Sequence, residues 1–171
     1  LTEDITERVA FTENEARFKA VEAMLSRISG RFVEAWPGTV DAAISDVLGE
    51  ICQFADVERG RVYLFDRSRP IMREISRWQA DADLPSDEGL RAVPRADTPY
   101  LTDSILSGGS VSLASPDQLP ESADADRAFL RKRRIESCLI VPLASAAQRI
   151  GALVLTTLSY GRSWADGDVS M

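Results

Sequence analysis

The stretch from Ile135 to Thr157, IESCLIVPLASAAQRIGALVLTT, constrains what this chain can fold into more than any other. It holds two apolar runs of period two, roughly Ser137–Leu143 and Arg149–Thr157, joined by Ala144–Gln148. That alternation, with a connection close to the roughly two to five residues of a hairpin loop, predicts a β-hairpin. No other part of the chain is as apolar, so the hairpin belongs at the centre of a sheet. Pro142 adds a demand, because proline has no N–H to give a ladder. Its nitrogen must fall at a bulge, a strand end or an edge.

The remaining elements decide what surrounds that hairpin. Residues 11–36 carry Phe11, Phe18, Val21, Leu25, Ile28 and Phe32 at spacings of 7, 3, 4, 3 and 4, a heptad stripe. Thr12-Glu13-Asn14-Glu15 fits a capping box at its start, and Trp36-Pro37-Gly38 stops it. This helix can pack on its own domain or pair with the same helix of a second chain; its regular spacing favours pairing. A second helix, Thr39–Ala55, has one wide apolar face suited to a sheet. Strands are expected near Arg61–Asp66 and Ile71–Gln79, the latter ending near Trp78. Ala80–Pro99, with three prolines, reads as mostly loop. A short helix over Pro99–Ser107, a strand at Ser110–Leu113 and a helix at Asp126–Arg134 lead into the hairpin. This order predicts an α+β fold around a largely antiparallel sheet.

Composition narrows the chemistry. The chain of 171 residues has no histidine, which excludes a histidine phosphoacceptor, a histidine-ligated haem, a Ser-His-Asp triad and a histidine-containing zinc site. Neither a metal site nor a cofactor is expected. A net charge of -7 argues against nucleic acid as a partner. Arg131-Lys132-Arg133-Arg134 reads as a solvated helix end favoured by the helix dipole. Cys52 and Cys138 stand in apolar contexts, as in a reducing cytoplasm, and no run is long and apolar enough for a membrane span.

Several motifs together resemble the GAF domain family. They are RGRVYLFD, Trp78 closing the second strand, TPYLTDSILSGGSVSL, Leu119-Pro120, RAFLRKRRIESCLIVPL, RIGALVL and RSWADGD, in that order. The resemblance implies a GAF-like (profilin-like) central antiparallel sheet with terminal helices on one face and a loop and short-helix pocket on the other. The opening D-I-T-E-R resembles the exit of a PAS domain. The expected organisation is therefore 1–10 as the tail of a preceding PAS domain, 11–36 as a connecting helix, and 37–171 as a GAF domain truncated at its last helix.

Alternation assigns the faces of the sheet. Val62, Leu64, Leu139, Val141, Leu143, Leu153 and Leu155 are uniformly aliphatic, as a helix-packed face should be. The alternates Arg61, Tyr63, Cys138, Ile140, Ala152, Val154 and Thr156 are smaller or more polar and should floor a pocket, walled by Trp78, Tyr100, Ile105 and Phe129. Tyr63 and Trp78 could instead fill that space as a second core. The Asn-Lys-Phe-Asp-Glu constellation of cyclic-nucleotide-binding members is missing, as is the cysteine of bilin-binding members. Methionine sulfoxide reductase chemistry, known on this fold, would need two thiols within reach of each other; Cys52 and Cys138 are expected in different layers.

The resemblance thus implies a non-catalytic sensory module of a cytoplasmic signalling protein, of the sensor histidine kinase or cyclic-di-nucleotide type. It would bind an unidentified small molecule, form a homodimer through Phe18, Val21, Leu25, Ile28 and Phe32, and be linked to signalling domains on both sides. A ligand-free dimerisation or spacer module is the alternative.

Overall fold

A computed structural model describes residues 40–85, 88–145, 148–161 and 164. The expected PAS tail, the connecting helix with Phe18, Val21, Leu25, Ile28 and Phe32, and the last helix lie outside the described residues. Helix α1 spans Val40–Ala55, followed by strands β1 (Arg59–Phe65) and β2 (Ile71–Gln79). A short strand β3 (Ala92–Pro94), helix α2 (Pro99–Leu106), strand β4 (Val111–Leu113) and helix α3 (Asp124–Lys132) form the middle. The hairpin is β5 (Ser137–Ser145) and β6 (Gln148–Thr157), each longer than its alternation predicted.

These strands make one six-stranded sheet in the order β3-β2-β1-β6-β5-β4, with every neighbouring pair antiparallel. The hairpin is flanked on both sides, as its apolar character requires. Pro142 pairs with Ala152 on the β6 side, whereas β4 pairs with β5 only as far as Ile140. Among the described residues β4 does not reach Pro142, and the β5–β6 register shifts just after it, between Leu143 and Ala144.

The middle is more ordered than a loop. Ala92–Pro94 adds a strand to the outer edge of β2, with Val93 buried beneath it. Isolated apolar residues in a charged stretch gave too short a run for period-two reading, which is why this strand was not expected.

On one face, Ile44, Leu48, Ile51, Cys52 and Ala55 of α1 pack against Val62, Leu139, Val141, Leu143, Leu153 and Leu155. These six are helix-face residues by alternation; Leu64, the seventh, is only partly buried near the strand end. Gly60 lets α1 lie close: a Cβ there would collide with the Cys52 sulfur and press on Leu48. A second apolar cluster, including Tyr63, Leu101, Ile105, Leu130, Ile140 and Ala152, lies on the opposite face under α2, α3 and the β3 segment.

Candidate functional site

The second cluster is not filled. A cavity of about 50 Å³ remains between the sheet and its cover. Its floor is Arg61 and Tyr63 from β1, Met72 from β2, Cys138 and Ile140 from β5, and Val154 and Thr156 from β6. Its roof is Leu90, Val93, Thr98, Leu101 and Ile105, with Phe129, Leu130 and Ile135 closing the α3 side.

Eight residues singled out from the sequence border this space: Arg61, Tyr63, Ile105, Phe129, Cys138, Ile140, Val154 and Thr156. Ala152 is buried in the same cluster without bordering the cavity. Trp78 and Tyr100 require correction. Trp78 packs in the α1 core, its indole against Gly49. The cause is a bulge: Val62 pairs with Ser76 but Tyr63 with Glu74, leaving Ile75 as an extra residue. An inserted residue inverts the alternation downstream, so Met72 faces the cavity while Ser76 meets Ser45 of α1 at 3.1 Å and Trp78 follows it. Tyr100 stands on the outside of α2, 40% exposed, because the first turn of that helix points it away from the sheet.

Three contacts hold the cover down. The Tyr63 hydroxyl donates to the Leu90 carbonyl oxygen at 2.8 Å, so the tyrosine both fills space and latches the roof. Asp126 of α3 is fully buried and accepts from the backbone N–H groups of Leu101 (2.9 Å) and Tyr100 (3.1 Å). It supplies from another element the cap that Thr98, at the N-cap position, does not make. Arg133 lies 3.6 Å over the Phe129 ring and donates to the Gly89 carbonyl oxygen at 3.3 Å, so one member of the basic run turns inward. Met72, Leu90, Val93 and Asp126 escaped sequence reading. A lone acid in a polar helix start carries no local sign that it caps a different helix.

Two arginines of β1 are buried, and of these only Arg61 borders the cavity. Arg59 and Arg61 are 2% and 3% exposed. Arg61 donates through Nε to Glu74 Oε2 at 3.0 Å, a buried ion pair. Arg59 donates to the Pro85 carbonyl oxygen. Burial first, and then the charge of Arg61, lower the Arg59 pKa, with Glu58 opposing. Among the described residues, two buried side-chain polar atoms have no hydrogen-bond partner: Arg59 Nε and Thr156 Oγ1. These two residues stand directly opposite each other on β1 and β6.

The cysteines lie on opposite faces of the sheet, Cys52 in the α1 core and Cys138 in the cavity-side core. Burial pushes each thiol up to about 12, so neither supplies a thiolate near neutral pH. No helix among the described residues is long and apolar enough to cross a membrane.

Known proteins share this architecture. The phycocyanobilin-bound GAF domain of a cyanobacterial phytochrome superposes with a TM-score of 0.65 at 17% identity, covering 86% of this chain and 84% of that one. The blue-light-absorbing form of the PixJ GAF domain of Thermosynechococcus elongatus gives 0.56 at 18% identity, over 74% of each chain. A domain designated as part of a two-component sensor histidine kinase of Sinorhizobium meliloti gives 0.56 at 16% identity, over 77% of this chain and 81% of that one. At such identities these likenesses show the fold alone. No curated protein matches the chain. The profile of the GAF domain family matches residues 39–171, a span that contains every described residue. With motif order, sheet topology and profile in agreement, the chain belongs to the GAF domain family.

Proposed function

We propose that this chain is a non-catalytic sensory module of a cytoplasmic signalling protein, and that it reads a small molecule held in the cavity between the sheet and the α2–α3 cover. The observation that carries this reading is the latch. Tyr63 spans from the central strand β1 to the roof at Leu90, while α1 packs on the other face of the same strand. A ligand that prefers one arrangement of the cover would thereby bias the sheet and α1, and only such differential affinity shifts an equilibrium. The cavity of about 50 Å³ is well below the ~300–1,000 Å³ of a drug-sized site. A ligand that enters the closed form is therefore small, and a bilin-sized one requires the latch to open. The separated, un-ionised thiols support the non-catalytic reading.

The route to the output belongs to the same proposal. Residues 1–10 would end a preceding PAS domain, and 11–36 would pair with the same helix of a second copy through Phe18, Val21, Leu25, Ile28 and Phe32. Sedimentation of a Leu25→Asp, Ile28→Asp variant checks the pairing; a variant that stays dimeric removes it.

Thermal unfolding against a panel of small metabolite-like compounds, followed by hydrogen exchange, tests the pocket. A stabilising compound should slow exchange across Leu90–Leu106. Protection confined to other surfaces overturns the reading. The spacer alternative is favoured by Tyr63 occupying part of the space itself. It prevails if no compound binds and a cavity-filling Val154→Ile variant signals like the parent chain.

A further inference from the structure

We infer that the cavity between the sheet and the α2–α3 cover is a dry site for one small, uncharged molecule without strong hydrogen-bonding groups, in the size class of dioxygen. It rests on the pocket reading above and names the ligand that the closed form takes.

The polar side chains around the cavity offer a guest almost nothing. Arg61 Nε is bonded to Glu74 Oε2 at 3.0 Å, the Tyr63 hydroxyl to the Leu90 carbonyl oxygen at 2.8 Å, and the Thr98 and Thr102 hydroxyls to each other at 3.2 Å. Cys138 and Met72 add only sulfur, a weak donor as thiol and a weak acceptor as thioether. Among the described residues of the lining, Thr156 alone has a buried side-chain oxygen or nitrogen, Oγ1, without a partner. The surface is otherwise almost wholly apolar, with Leu101, Ile105, Leu130, Ile140 and Val154 among its walls. Water settles in a protein interior where roughly two to four polar groups receive it. One hydroxyl is too few, and an ion would lose its hydration with nothing to replace it.

Size sets the other limit. An engineered apolar cavity of ~150 Å³ stays dry and takes benzene or xenon. At about 50 Å³ this one is about a third as large, which excludes a ring and leaves room for a xenon atom or a diatomic molecule. Such a guest gains dispersion contacts with walls that otherwise face a void, and gives up no hydrogen bonds to water on entering. Burial keeps the Cys138 thiol beside it protonated, and thiolate is the reactive form, so dioxygen would be held without covalent chemistry.

Methyl-resolved NMR of the whole chain under xenon, dioxygen and benzene in turn tests the inference. Xenon should shift the Ile105 and Ile140 methyl signals saturably. Dioxygen, being paramagnetic, should speed relaxation of those methyls at least twofold more than that of the equally buried Leu153 and Leu155 on the α1 face. Val154→Ile should weaken xenon at least threefold, while Val141→Ile, on the other face, leaves it unchanged. Non-saturating shifts spread over both faces, or xenon affinity unchanged in Val154→Ile, overturn the site. Benzene shifting the same methyls as strongly as xenon, or an ordered water giving cross-relaxation to the Ile140 methyl, also overturns it and leaves the pocket reading intact. Xenon seated as expected, with no compound of the wider panel slowing exchange across Leu90–Leu106, upholds this site and counts against the sensory reading alone.

Discussion

The two faces of one sheet have been put to different uses. Against α1, aliphatic side chains from β1, β5 and β6 interlock with Leu48, Ile51 and Cys52, and Gly60 removes even a methyl group to bring the helix close. Against α2 and α3, the same strands present Arg61, Tyr63, Thr156 and small or medium apolar groups, and a cavity is left. Close packing makes a face rigid and chemically silent. Incomplete packing with buried polar groups costs stability and is where recognition becomes available. The α1 face is therefore the closely packed one, and the other is the face that our proposal assigns to recognition.

That contrast can be broken by mutation, the largest effect first. Leu155→Ala removes a fully buried side chain from the α1 core and should cost about 2–5 kcal/mol in chemical denaturation. Ile140→Ala should fall at the low end of that range, because Ile140 already borders a void and loses fewer contacts. A larger loss for Ile140→Ala would reverse the assignment of the two faces.

Asp126→Ala comes next. Two N–H groups at the start of α2 lose their acceptor, one of them buried, for a cost of about 1–3 kcal/mol. Hydrogen exchange should accelerate across α2 and leave α1 unchanged, marking the cover as a separately opening unit. Uniform acceleration across both helices would show that the two faces unfold together.

Tyr63→Phe keeps the ring and deletes the latch to Leu90, a loss of about 1 kcal/mol read by denaturation. Exchange should quicken at Leu90–Val93. An unchanged rate there would mean that the hydroxyl does not hold the roof.

The smallest expected effect has opposite sign on the two faces. Val154→Ile adds a methylene beside the cavity and should stabilise by up to about 0.8 kcal/mol. Val141→Ile makes the same change in the α1 core, where the added methylene presses on packed neighbours, and should be neutral or destabilising. Stabilisation by both would deny that the helix face is the better packed.

Legibility in the sequence followed this division as well. The helix face was readable nearly residue by residue, because Leu139, Val141, Leu153 and Leu155 alternate in long uninterrupted strands. Floor residues of the cavity were readable as their complement. The error at Trp78 arose where alternation was broken by the extra residue Ile75, which one sequence does not announce. The roof was poorly legible. Leu90 and Val93 are single apolar residues in charged surroundings, and Tyr100 has the composition of a wall residue yet points outward.

What the sequence determined by itself is the hairpin and the parity of its side chains, since a period of two is a local property carried by every residue of a strand. Membership of the family follows from the same motifs in order, and the profile over residues 39–171 agrees. Tertiary structure alone decided which isolated residues meet in and around the cover: Tyr63 with Leu90, and Asp126 with the start of α2. Those partners are tens of residues apart, and their contacts depend on how elements stack rather than on any repeat along the chain. The scaffold is written as a pattern; the site is written as a set of encounters, and only folding brings those about.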